Sequence, residues 1–327
     1  MNALVTGATG FVGSHLVEAL SRRGDTVTAL VRSPEKAARV LGGKVRLVVG
    51  DLDATAALAE AAAGQQVVYH VAGVIAARNE AEFLHSNAQG TRNVLEAMSA
   101  AGGAARLVLV SSMAAGGPAE RGQPLDGTAA PRPVTQYGRS KLAGEEVVRG
   151  SRLRWTIIRP PMVYGPRDTE VLKVFKLAGA PLAPVFGDGT QELSAVYGPD
   201  LAEALIAAGT SEQAVGRTYY PCHPELFSSE QFVQAVGRAV RPDRRGNLPI
   251  LHLPLALARG ALTVTGTFAA LAGKATVLTA DKANEFFQAA WTGDPAPLTR
   301  DTGWQAATSL QQGLALTARW YREAGWL

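Results

Sequence analysis

Apolar and polar positions follow two rhythms over the first half of the chain. Short runs of Val, Ile and Leu predict strands over 3–6, 25–31, 45–49, 66–70, 106–110 and 155–158. Between them, Ala-rich stretches repeat their apolar positions every three or four residues, predicting helices over 11–23, 34–41, 54–63, 80–101 and 136–149. The strand runs are nearly continuous rather than alternating, as in strands covered on both faces. Strand and helix in turn imply βαβ units, which right-handed crossovers wind into an α/β fold with a doubly wound parallel sheet. After Tyr164-Gly165-Pro166 the rhythm stops. Gly and Pro punctuate 179–199, Pro recurs at 242, 249 and 254, and the chain from 221 onward reads as mostly helical. Two units are expected. The larger spans 1–165, with a returning segment near 194–216. The smaller, mostly helical, takes 166–193 and 217–327.

Composition narrows the class. Of 327 residues, 47% are hydrophobic and 18% charged, which excludes disorder. A net charge of +4 is too small on this length to suggest a nucleic-acid partner. Every run of 18 residues contains a charged side chain, so no transmembrane segment is expected. No secretory signal is read at the N-terminus. The single cysteine, Cys222, excludes an intramolecular disulfide framework and Cys-rich zinc sites, and no metal site is expected. These features point to a soluble, cytoplasmic protein.

The strongest local signal is Thr6-Gly7-Ala8-Thr9-Gly10-Phe11-Val12-Gly13, between the first strand and the first helix. Glycines here allow a tight turn, close approach of backbone to a pyrophosphate and tight helix–strand packing. The helix N-terminus then presents free N–H groups to phosphate. A dinucleotide-binding, Rossmann-type domain is expected. Such domains usually carry an acidic residue about 20 positions on, which binds the ribose 2′-hydroxyl. Here the second strand ends Val31-Arg32-Ser33. A guanidinium at this place suits a 2′-phosphate, which favours NADP(H) and leaves NAD(H) as the alternative. Asp51, followed by Leu52, is placed to accept from the adenine amino group or to make a plain turn.

Tyr137-Gly138-Arg139-Ser140-Lys141 puts a phenol and an ammonium on one helix face. A nearby ammonium favours the phenolate, bringing an acid/base phenol toward a useful range. Ser111-Ser112 ends the fifth strand, where hydroxyls face the ligand crevice. Ser112 is placed to donate to a substrate carbonyl oxygen.

Glycine loop, strand-end serine and Y-x-x-x-K, in this order, resemble the extended short-chain dehydrogenase/reductase superfamily over nearly the whole chain. Further segments add to the likeness: His70-Val71-Ala72-Gly73, Asn87-x-x-Gly90-Thr91-x-Asn93, Arg159-Pro160-Pro161-Met162-Val163-Tyr164-Gly165-Pro166, Gly187-Asp188-Gly189 and Val196 to Ala202. The resemblance implies Ser112, Tyr137 and Lys141 as catalytic residues. It places the cofactor against Gly7, Thr9, Gly10, Phe11, Val12, Gly13, Arg32, Asp51, Leu52, Val71, Ala72, Gly73, Ser111, Pro160 and Val163, with Tyr137 and Lys141 also touching it. Members of the superfamily commonly form dimers through helices flanking the sheet, and the oligomeric state of this chain is left open between monomer and homodimer.

Within the superfamily, nucleotide-sugar epimerases usually carry an Asn before V-Y-G. This chain has Pro160-Pro161-Met162 instead. Val-Arg-Ser-Pro at 31–34 and His-Val-Ala at 70–72 look like dihydroflavonol reductases and 3β-hydroxysteroid dehydrogenases, which act on apolar alcohols and ketones. The expected activity is NADP(H)-dependent interconversion of a ketone and a secondary alcohol on a hydrophobic small molecule. The alternatives are a nucleotide-sugar epimerase or dehydratase with tightly bound NAD, and a non-catalytic cofactor-sensing protein of the same fold. The apolar segment 248–278 is expected to be a buried helix of the second unit, with membrane contact as the other reading.

Overall fold

The structure, a computed structural model, describes residues 1–42, 45–271, 275–277 and 279–327. Seven strands form one sheet: β1 (Asn2–Thr6), β2 (Thr26–Val31), β3 (Val45–Val49), β4 (Val67–His70), β5 (Arg106–Val110), β6 (Trp155–Ile158) and β7 (Thr218–Tyr219). All pair in parallel, in the order β3-β2-β1-β4-β5-β6-β7. The first six lie where the apolar runs predicted them. The two-residue β7 is too short to leave a pattern.

The order reverses at β1, whose Thr6 is level with Leu30 of β2 on one side and His70 of β4 on the other. Ligands of such sheets bind at the carboxyl ends beside this switch point. One sheet face packs Val5, Tyr69 and Val108 against Leu16 and Leu20 of the helix Phe11–Arg22 and Leu201 and Leu205 of the helix Gly198–Thr210. The other packs Leu4, Val68 and Leu107 against Leu58, Val94 and Met98. Each such side chain contributes about 1.5–3 kcal/mol by burial, so the switch point rests on a rigid base.

The predicted helix over 80–101 is interrupted. Glu80–Leu84 and Gly90–Ala100 are α-helical, and His85–Gln89 makes one π turn between them. A π turn inserts a residue and re-aims the side chains around it. Here the buried Asn87 bonds both backbone groups of Val74.

The second lobe gathers its own core around Phe175, Phe232, Leu314 and Tyr321. It is mostly helical, as expected, but contains short strand pairs as well. Met162–Tyr164 pairs with Ala195–Tyr197, Glu192–Leu193 with Phe227–Ser228 and Ala290–Trp291, and Ala183–Phe186 with Ile250–Leu253. Strands of two to four residues are too brief for a two-residue period to register.

The expectation of a buried helix within 248–278 is corrected in part. The helix exists, over Leu255–Leu271, and its Leu262 is buried. Leu257, Val264 and Phe268 fall on the opposite face, at 63%, 54% and 69% exposure. The lobe covers one side of this helix and leaves the other open. Residues 272–274 and 278 of that segment lie outside the described residues. Among the described residues, no helix is long and apolar enough to cross a membrane.

Candidate active site

The glycine loop turns at the carboxyl end of β1. Gly7 has φ of +70°, and a Cβ there would lie 2.7 Å from the Ala72 nitrogen. Only glycine lets the loops after β1 and β4 come this close. Gly13 has the same role one helical turn on, where a Cβ would lie 2.1 Å from the Gly7 carbonyl oxygen. The helix Phe11–Arg22 starts at Gly10 with no side-chain cap and no acidic residue in its first turn. Its first N–H groups are left for an outside acceptor. A cradle stripped of side chains, under an uncapped helix start, fits a dinucleotide pyrophosphate.

At the end of β2 the Arg32 side chain is exposed, with no acidic partner among the described residues. Ser33 caps the next helix, accepting from Lys36 N, and donates to Glu35 at 2.7 Å. Asp51 Oδ1 accepts from Asp53 N and Ala54 N, both at 3.0 Å, so this carboxylate makes the turn into the helix Thr55–Ala62. The Leu52 carbonyl accepts from Asn93 Nδ2 at 2.8 Å, and Leu52 itself packs against Gly90. Phe11 rests edge-on against His15.

A one-way hydrogen-bond chain lies beneath the switch point. Ala72 N–H donates to Thr6 Oγ1 at 3.2 Å, and Thr6 Oγ1 contacts His70 Nδ1 at 2.7 Å. His70 Nε2 contacts Thr91 Oγ1 at 3.1 Å, and Thr91 donates to the Asn87 carbonyl at 2.7 Å. Because Thr91 spends its proton on Asn87, it must accept from His70 Nε2–H. Nδ1 therefore accepts from Thr6. Burial, with the Lys141 charge nearby, pulls the imidazole down to about 3, so His70 is neutral. The chain fixes Val71-Ala72-Gly73, the segment expected beside the cofactor.

Thr135 caps the helix Gln136–Arg149, accepting from Gly138 N at 3.1 Å. Tyr137 sits in its first turn, its ring 6.1 Å from that of Phe83. Ser112 lies beside its phenol and favours the ionised form. Ser112 Oγ accepts from Ala114 N at 3.2 Å, capping the short helix Met113–Gly116. One turn after Tyr137, the buried Lys141 donates from Nζ to the Val110 carbonyl at 2.8 Å. Burial pulls its ammonium down to about 8, against the pull of Glu145. Burial pushes the Tyr137 phenol up to about 12, opposed by Ser112 and helped by Glu285. Asn87 joins this group, donating to Ser140 Oγ at 2.9 Å, and Gly73 lies against both Asn87 and Lys141.

The structure thus brings Ser112, Tyr137, Lys141 and Gly73 together beside the glycine loop. Pro160 accepts from Met113 N at 2.9 Å, and Val163 pairs with Val196. Ser111 turns away from the cleft to Glu145. Several participants escaped the sequence reading. Asn87 stood in a quoted motif without a role. Asp281 and Glu285, which meet Gln136 N at 2.8 Å and Thr135 Oγ1 at 3.4 Å, come from about 145 residues away. Cys222 is buried against the Gly293 carbonyl and its thiol is pushed up to about 12, so it is inert. Tyr321 and Trp326 stack, and Trp320 meets both edge-on, as packing.

Sheet topology, glycine cradle and the Ser-Tyr-Lys cluster define an NAD(P)-dependent enzyme of the extended short-chain dehydrogenase/reductase kind, acting on CH–OH and C=O groups. The chain belongs to the NAD dependent epimerase/dehydratase family, whose model matches residues 3–220. It is 35% identical to the ceramide reductase of Caulobacter vibrioides over 333 residues, covering 99% of this chain and 95% of that protein. It is 35% identical over 181 residues to the 4-hydroxy-2-methyl-3-oxo-4-farnesyl-3,4-dihydroquinoline-1-oxide ketoreductase of Stigmatella aurantiaca, covering 53% of each. Among solved structures it resembles MoeE5 in complex with UDP-glucuronic acid and NAD, with a TM-score of 0.76, 25% identity and coverage of 99% of this chain and all of that one.

Proposed function

We propose that the protein is an NADP(H)-dependent reductase that converts a ketone to a secondary alcohol on a long-chain, largely apolar molecule. The observation that carries the reading is the shortage of polar groups for a nucleotide sugar. Pro160-Pro161-Met162 replaces an Asn-bearing stretch. Arg167, Lys173 and Arg217 are each paired at the surface, with Glu18, Glu170 and Asp301. Burying the polar groups of a nucleotide sugar unpaired costs about 1–3 kcal/mol each. The end-to-end likeness to a ceramide reductase supports a lipid substrate.

In this reading the carbonyl oxygen lies between the Ser112 and Tyr137 hydroxyls. Bound nicotinamide supplies the hydride. Ser112 donates a hydrogen bond to the oxygen as it gains charge. Tyr137, protonated at neutral pH, gives it the phenolic proton. The Lys141 ammonium stabilises the phenolate left behind. A protonated donor favours the reducing direction.

Two measurements test substrate and cofactor. A ceramide bearing a ketone in place of one hydroxyl is expected to oxidise NADPH, while UDP-glucose gives no calorimetric signal with the NADPH-loaded protein. Tight UDP-glucose binding without turnover of the lipid ketone would move the protein to the epimerase branch, which the likeness to MoeE5 keeps in view. NADPH is expected to bind more tightly than NADH. Arg32→Ala narrows that gap by about ten- to hundredfold, the worth of one charge-assisted contact to a 2′-phosphate. Fluorescence titration of both cofactors reads this directly, and equal affinities in the unmodified protein refute it.

A further inference from the structure

The reduction scheme leaves a fully buried carboxylate without a role. Glu145 lies one turn beyond Lys141 on the same face of the helix Gln136–Arg149, at 0% exposure. Its Oε1 accepts from Ser111 Oγ at 2.5 Å and Arg159 Nε at 2.9 Å. Its Oε2 accepts from Arg159 Nη2 at 2.7 Å and Arg149 Nη2 at 2.9 Å. Arg159, itself 1% exposed, spends Nη1 on the Tyr220 hydroxyl at 2.8 Å.

The place of Ser111 gives this network its meaning. It stands between Val110, whose carbonyl receives Lys141, and Ser112, which lies beside the Tyr137 phenol. Ser111 N donates to the Ile158 carbonyl at 2.7 Å, and Met113 N to the Pro160 carbonyl at 2.9 Å. The backbone on either side of Arg159 is therefore stitched to the same strand end. One carboxylate ties together the helix that carries Tyr137 and Lys141, the strand end that carries Ser112, and the β6 extension.

We propose that Glu145 is a positioning residue of this site, holding the end of β5 in register with the Tyr137–Lys141 helix and serving as counter-charge to the Lys141 ammonium. This rests on the reductase reading for its kinetic consequence only. An amide would not suffice, because the bidentate Arg159 fork needs two accepting oxygens. Among the described residues, the other groups set against Lys141 bring no negative charge. Tyr137 is a neutral phenol, His70 on β4 a neutral imidazole, and Asn87 and Gly73 are uncharged. Arg159 and Arg149 are both paired with the carboxylate, Arg149 one turn further along the helix from Lys141.

The test reads Lys141 itself. The chain has seven lysines, few enough for an NMR titration of protein labelled at lysine Cε and Nζ, with Lys141 assigned from the Lys141→Arg spectrum. In Glu145→Gln the Lys141 midpoint is expected to fall by about one pH unit or more, and kcat to drop by about ten- to hundredfold. Ser111→Ala keeps the charge and removes one tie, so its midpoint stays in place while kcat falls. Glu145→Gln alone leaves Arg159 buried and unpaired. The double variant Glu145→Gln/Arg159→Met, which removes a negative and a positive charge together, serves if the single variant does not fold. Its Lys141 midpoint is expected to fall by less, because Glu145 lies one turn from Lys141 on its own helix while Arg159 reaches the carboxylate from another element. An unmoved Lys141 midpoint in the folded variant overturns the proposal, whatever the activity. A moved midpoint in a protein that reduces no ketone supports the role of Glu145 and removes the reductase reading instead.

Discussion

Tyr137→Phe is expected to lower kcat for ketone reduction by about 10²–10⁴-fold while leaving the fold and NADPH affinity in place, because it deletes the proton donor and nothing else. The phenyl ring retains its packing against Phe83. Ser112 keeps its bond from Ala114 N. Single-turnover hydride transfer, followed by NADPH absorbance, is the decisive measurement. Ordinary turnover in the variant would remove Tyr137 from the chemistry. The unmodified enzyme carries a pH signature of the same scheme. Lys141 is charged below about 8 and loses its proton above it. Support for the forming phenolate is thus present at neutral pH and fades on the alkaline side. Reduction should decline as pH rises through that value.

Gly13→Ala is expected to weaken NADPH binding at least tenfold, about 1.4 kcal/mol, and to destabilise the fold by about 1–3 kcal/mol. The new methyl would lie 2.1 Å from the Gly7 oxygen, 2.8 Å from the Gly7 carbonyl carbon and 2.9 Å from Ala8 Cα. All three are backbone atoms, so no side chain can rotate aside. The helix start must move away from the loop, and the cradle opens. Calorimetric titration with NADPH and thermal unfolding read the two effects separately. An unchanged dissociation constant would mean the phosphates do not bind at this loop.

The parts of the site legible in the sequence are those written within one element. The i, i+4 spacing of Tyr137 and Lys141, the glycines between β1 and its helix, and the serine ending β5 each need only one strand or helix to be assigned. Glu145 sits at that same spacing from Lys141. In the string Leu-Ala-Gly-Glu-Glu-Val, however, nothing separates a buried carboxylate from its solvent-facing neighbour Glu146. Its burial depends on Arg159, on a different element. Asp281 and Glu285 reach the start of the Tyr137 helix only through the docking of the second lobe, which has no local pattern. The Leu255–Leu271 helix failed as a burial prediction for a related reason. Apolar composition marks a helix that wants cover, but the cover must come from other elements, and they shield one side only.

The file of groups from Ala72 through Thr6, His70 and Thr91 to Asn87 has a polarity, like a row of arrows laid head to tail. Each member passes its proton in the same sense, so the direction set at one end is imposed on every link. A replacement for His70 must therefore offer one donor and one acceptor on opposite sides. Glutamine has that pair of groups. A lysine, all donor, or an ionised glutamate, all acceptor, would place two like ends against each other in a dry interior. Sequence drift at this position should accordingly follow hydrogen-bond direction more closely than size or charge.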